Sequence, residues 1–153
     1  DEVAEINLGE LIGNLRKHLL DRFREEEVKW LEEPLPSTTF KGHPRSLRQV
    51  LLNLLLNGAE SCRAAGRTIE VGMGASVHGD RLRLSVIDHG PGMTRREVNK
   101  AFLPFYTTKQ TGSGLGLYLS RKIVMEMGGT MEIRSEPGVK TVIVIKLPIA
   151  SRK

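Results

Sequence analysis

Two asparagines sit four residues apart inside a leucine run, Gln49-Val50-Leu51-Leu52-Asn53-Leu54-Leu55-Leu56-Asn57. Asn is a mediocre helix former, and at i and i+4 both carboxamides share one helix face. With buried leucines on either side, an unpartnered amide costs about 1–3 kcal/mol. Either the two carboxamides meet nearby backbone or solvent, or they face a ligand. In the second case an amide oxygen is available to Mg²⁺, which takes hard oxygen donors and keeps several waters.

A second group is Val86-Ile87-Asp88-His89-Gly90-Pro91-Gly92-Met93, a carboxylate closing an apolar strand with glycines two and four residues on. The glycines permit close backbone approach to a flat ligand, and the carboxylate can accept a hydrogen bond from an exocyclic amine. A strand-ending turn has the same composition. A third group, Thr111-Gly112-Ser113-Gly114-Leu115-Gly116-Leu117, runs into a helix. Glycines at alternate positions before a helix start expose N–H groups where the dipole favours anions, although a plain hinge would look alike. A dinucleotide fingerprint fails because position 117 is Leu and Thr107-Thr108-Lys109-Gln110 is no apolar strand. A Walker loop fails because the chain contains no Gly-Lys-Ser/Thr.

The elements that must position these groups follow from periodicity. Residues 1–7 suit a short edge strand. Leu8, Leu11, Ile12, Leu15, Leu19 and Phe23 keep helical spacing, predicting a helix from 8 to about 26. Strands follow near 28–31 and 38–41, and Pro44 opens a long helix over 44–65 that Gly66 ends. Ile69, Val71 and Met73 alternate, as do Leu82, Leu84 and Val86, with a hairpin turn at Gly79-Asp80. A short helix over 95–102, a loop over 103–113, a helix over 115–127 and a hairpin about Pro137-Gly138 complete the reading. The fold class is an α/β two-layer sandwich: a mixed, mostly antiparallel sheet of about five strands with three main helices on one face.

Composition bounds the partners. At 153 residues, 39% hydrophobic and 27% charged, the chain fits one domain with a real core. The net charge of +5 comes from scattered basic residues, and 5% aromatics are too few for a base-stacking platform, so no nucleic-acid partner is expected. No apolar run is long enough to cross a bilayer, so no membrane contact by this domain is expected. The lone Cys62 excludes an internal disulfide and reads as a buried, inert thiol in a reducing, cytoplasmic setting. The start at Asp1 suggests a piece of a longer chain, one whose whole could be membrane-anchored.

The three groups in this order, with Ala101-Phe102-Leu103-Pro104-Phe105-Tyr106-Thr107-Thr108-Lys109 between the last two, resemble the ATP-binding catalytic domain of sensor histidine kinases. That family lies in the wider superfamily of gyrase, heat-shock chaperones and mismatch-repair ATPases, and the resemblance covers about residues 7–147. It implies the Bergerat-type sandwich and one catalytic domain over 1–153. It implies that Asn57 is the Mg²⁺ ligand and that Asn53 faces the phosphates. Asp88 would read the adenine amino group, with Gly90 and Gly92 beside the base. Phe102 and Phe105 would anchor a lid whose polar end is Thr107, Thr108 and Lys109, the lysine a phosphate contact. Gly112, Ser113, Gly114, Leu115 and Gly116 would surround the phosphates.

Some positions depart from the pattern. Gly58 stands where Ala is common, Glu60 where some relatives carry a basic phosphate contact, and His43 where Asp is frequent. ATPase members of the superfamily carry a carboxylate at the position of Asn53, able to polarise an attacking water; an amide cannot accept that proton. Phosphoryl transfer is therefore expected over hydrolysis, with a slow ATPase or a protein-serine kinase of the same superfamily as the alternative. None of His18, His43, His78 and His89 has the sequence context of a phosphoacceptor. The expected partners are a separate dimerisation and phosphoacceptor domain and, downstream, a response regulator, with ATP and Mg²⁺ bound here.

Overall fold

The two alternating runs become neighbouring antiparallel strands, β4 (Ile69–His78) and β5 (Arg81–Asp88), joined through Gly79 at φ +63°. The computed structural model describes residues 1–106 and 116–149. Numbered with these strands in chain order are β1 (Ala4–Asn7), β2 (Val28–Leu31), β3 (Thr39–Gly42), β6 (Thr130–Glu136) and β7 (Lys140–Pro148). Five strands form one sheet in the order β2-β4-β5-β7-β6. Among the described residues, only the β2–β4 pairing in it is parallel. β1 does not extend this sheet. It pairs with β3 as a separate two-stranded ribbon, with Ile6 opposite Phe40 and both buried.

The helices are α1 (Leu8–Arg22), α2 (Pro44–Ala64), α3 (Arg95–Lys100) and α4 (Gly116–Glu126). The stripe Leu8, Ile12, Leu15 and Leu19 is buried, and Asn7 caps α1 by accepting from the Glu10 N–H. α1 stops four residues earlier than its periodicity predicts. Phe23 is the last buried position of the stripe, and beyond it three consecutive glutamates follow with no core contact to hold another turn. α2 lies over β4 and β5, flanked by α1 and α4. Its leucines at 47, 51, 54 and 55 are almost fully enclosed.

His43 makes no side-chain cap at the start of α2. The carboxylate of Asp1 accepts the Ser46 N–H at 2.8 Å instead, and the His43 ring meets the Asp1 carbonyl at 2.9 Å. α3 is shorter than expected and opens with a complete capping box between Thr94 and Glu97. Glycines do the remaining turning: Gly66 after α2, Gly128 after α4 and Gly138 in the last hairpin all have positive φ.

Candidate functional site

Strand periodicity decides where Asp88 goes. Leu82, Leu84 and Val86 point into the core beneath α2, so Asp88, the next residue of that alternation, faces the same side at the strand's end. Its carboxylate arrives against α2 at the point where the helix has no side chain. A methyl on Gly58 would lie 2.9 Å from the Asp88 Cβ and 3.1 Å from Oδ2. The turn that follows is folded around the same carboxylate. The Gly90 N–H donates to Asp88 Oδ1 at 2.9 Å, and a Cβ on Gly90 would press on that oxygen and on Ser61 of α2. Gly92 has φ +69° and lies against the Glu136 carbonyl, so neither glycine has room for a side chain.

Asn53 and Asn57 are half-buried on one face of α2, and α4 begins directly opposite. A Cβ on Gly116 would sit 3.4 Å from Asn53 Nδ2 and 3.7 Å from Asn57 Nδ2. The Asn53 amide donates to the Ser120 hydroxyl at 3.1 Å, a buried polar contact between α2 and α4. Three separate motifs thus meet along one helix: Asp88 and its turn at Gly58, and the start of α4 at Asn53 and Asn57. Beside Asn53, a cavity of about 440 Å³ opens between the two helices, lined by Arg45, Arg48, Gln49, Gly116 and Ser120 among others.

Phe102 packs against the core, with the Arg121 guanidinium of α4 4.8 Å from its ring centre. Phe105 differs. It is 75% exposed with φ +68°, so of the two expected anchors only Phe102 is packed. Thr107, Thr108, Lys109, Gly112, Ser113, Gly114 and Leu115 lie outside the described residues. Glu60 pairs with Arg63 at 2.7 Å.

Cys62 is buried next to this site, its thiol 3.8 Å from the Glu70 carbonyl. Burial pushes its pKa up, and the nearby Asp88 carboxylate adds to the shift. Each histidine makes a local contact: His18 with Arg48, His43 with Asp1, His78 with Ser76 and His89 with Glu70.

Three features lie beyond the motifs and periods drawn from the sequence. Ser120 lies 67 residues from Asn53, and no local pattern announces their contact. The Thr94–Glu97 capping box was readable as Thr-x-x-Glu. A groove of about 800 Å³ lies on the sheet face away from the helices, lined by Lys29, Trp30, Arg83 and Lys140 among others, and contains none of Asn53, Asn57 or Asp88.

Comparison with known proteins bears directly on this arrangement. Residues 42–151 match the model of the family described as histidine kinase-, DNA gyrase B-, and HSP90-like ATPase. The chain belongs to that family. The stretch it covers runs from the end of β3 to beyond β7 and includes every motif residue. Sporulation kinase D of Bacillus subtilis is 35% identical over 128 residues, 83% of this chain and 24% of that protein. The sensor histidine kinase ZraS of Klebsiella oxytoca is 39% identical over 107 residues, 69% of this chain and 22% of that protein. The chain thus spans less than a quarter of the length of these relatives. The catalytic domain of histidine kinase ThkA superposes with a TM-score of 0.83 at 27% identity, covering 97% of this chain and 96% of that one. Full-length ShkA in complex with AMPPNP superposes at 0.84 and 27% identity, covering 99% of this chain and 32% of that one. Family, sequence relatives and fold neighbours agree on an ATP-binding domain of the histidine-kinase type. Among the described residues, no helix is long and apolar enough to cross a membrane.

Proposed function

We propose that this chain is one catalytic domain of a longer sensor kinase. It binds Mg-ATP and passes the γ-phosphoryl group to a histidine on a separate dimerisation and phosphoacceptor domain, from which a response regulator is served. The observation that carries the reading is the convergence on α2 of a core-facing carboxylate, two carboxamides and the glycine start of α4.

In this reading Asp88 accepts a hydrogen bond from the adenine amino group, and Gly90 and Gly92 let the turn lie close to the ring. Asn53, Gly116 and the glycines before it hold the phosphates, with Lys109, Thr107, Thr108, Ser113 and Leu115 as further nucleotide contacts. Phe102 fixes one end of that segment through the core and Arg121, while Phe105 is presented outward. The donor set suits Mg²⁺. Among the described residues no three His, Cys, Asp or Glu side chains gather to cage a metal. A cation here would take the Asn57 amide oxygen together with water and phosphate oxygens, the hard and hydrated shell that Mg²⁺ prefers. When bound, it would neutralise phosphate charge.

Transfer breaks the bond from the γ-phosphorus to the oxygen that leaves with ADP and forms a phosphorus–nitrogen bond to the imidazole. The chain's own share is positioning and charge stabilisation. Asn53 supports transfer over hydrolysis. Its amide donates to Ser120 and has no basic atom for an attacking water.

The test is γ-labelled ATP with this domain and a phosphoacceptor domain supplied separately. Label on the acceptor histidine only when both are present supports the proposal; rapid phosphate release by this domain alone contradicts it.

A further inference from the structure

Arg67 lies three residues past the end of α2, outside every motif, and is solvent-exposed. Its guanidinium nevertheless reaches three backbone carbonyls. One nitrogen donates to Gly90 at 2.8 Å and to His89 at 3.4 Å, and the other donates to Gly138 at 3.1 Å. Two of these belong to the turn after Asp88, and the third belongs to the β6–β7 hairpin.

The geometry points to Arg67 as a positioning residue that sets the adenine-reading carboxylate of Asp88. The inference rests on the nucleotide reading given above. The connection is a short relay. The peptide joining His89 to Gly90 takes a hydrogen bond from Arg67 on its carbonyl side and gives one to Asp88 Oδ1 from its N–H. Polarising a peptide at its oxygen strengthens the donor at its nitrogen. The cationic donor is also the stronger kind, and a planar fork suits several acceptors at once.

Hairpin contacts brace the same turn. The Gly138 N–H donates to the Pro91 carbonyl, and the Met93 N–H donates to Ser135 Oγ at 2.7 Å. Arg67 is the side chain that spans from α2's end to both loops, so it fixes the turn relative to the helix that carries Gly58 and Asn57. Holding that turn keeps one carboxylate oxygen on Gly90 and the other beside Gly58 of α2, which fixes the orientation of the carboxylate.

The experiment compares the parent with Arg67→Ala, Arg67→Lys and Asp88→Asn by calorimetric titration with ADP and with inosine diphosphate. Inosine diphosphate carries a carbonyl where adenine has its amine. Because Arg67 is exposed, its variants are expected to fold, and Arg67→Lys guards against loss of the fold. Arg67→Ala should weaken ADP three- to tenfold, leave inosine diphosphate within twofold, and so shrink the discrimination between them. Arg67→Lys should recover part of it, and Gly90 amide exchange without nucleotide should quicken in Arg67→Ala. Unchanged ADP affinity in Arg67→Ala, or equal loss for both nucleotides, overturns the inference while Asp88→Asn still abolishes discrimination. If Asp88→Asn keeps discrimination intact, the adenine reading itself fails, and the inference with it.

Discussion

A methyl group on Gly58 would lie 2.9 Å from the Asp88 Cβ, so α2 and the end of β5 touch where the helix carries no side chain. Real Cβ atoms do not approach that closely, so alanine there forces either the strand end or the carboxylate to move. Gly58→Ala is expected to cost about 1–3 kcal/mol, divided between fold and site. Thermal unfolding combined with ADP titration would separate the two. Equal melting and equal affinity would show that the contact is looser than its geometry.

Asp88→Asn should weaken ADP by about 1.5–3 kcal/mol, the worth of a hydrogen bond to a charged group. The amide retains the size of the carboxylate but would offer the amine of a bound adenine a poorer acceptor. Calorimetry reads this directly, and an affinity matching the parent's removes Asp88 from the ligand's ring.

Ser120→Ala deletes the acceptor for the Asn53 amide in a buried seam. A loss of about 1 kcal/mol in unfolding free energy is expected, with slower phosphotransfer as Asn53 loses its fixed orientation. Urea titration and single-turnover transfer measure the two. A variant as stable and as fast as the parent would make the contact incidental.

The Cys62 thiol is pushed up by burial first and by the neighbouring Asp88 carboxylate in addition. Between the ordinary thiol pKa of about 8.5 and this raised native value, the folded chain holds the proton that the unfolded chain has lost. Stability contributed by this group is therefore complete below the lower value and falls as pH rises through the window. The parent should lose stability relative to Cys62→Ala between neutral and alkaline pH, as read by urea titration. A difference that stays constant across that range contradicts the shift.

Much of this was legible in the sequence, and the reasons are particular. Leu8, Ile12, Leu15 and Leu19 draw a helical stripe, and the alternations through Met73 and Val86 draw strands, because burial on one face writes a period into the chain. The same alternation carries Asp88 to the core side. What local pattern cannot write is pairing over distance. The ribbon joining Ile6 to Phe40, the reach of Arg67 to Gly138 and the hydrogen bond from Asn53 to Ser120 each depend on where the elements dock. Phe102 and Phe105 look equivalent in sequence, yet one packs beside Arg121 and the other turns outward at positive φ. Docking also explains the short α1, which ends where its last core contact ends.

The proposed function requires an adenine nucleotide to lie along α2, from the turn after Asp88 at Gly58 to the start of α4 at Asn53 and Asn57. The most direct measurement is backbone amide chemical-shift mapping during titration with Mg²⁺ and a non-hydrolysable ATP analogue. The largest shifts are expected at Asn57, Gly58, Asp88, Gly90, Gly92 and Gly116, saturating together. Shifts centred instead on Lys29, Arg83 and Lys140 across the sheet, or none at any concentration, would contradict it.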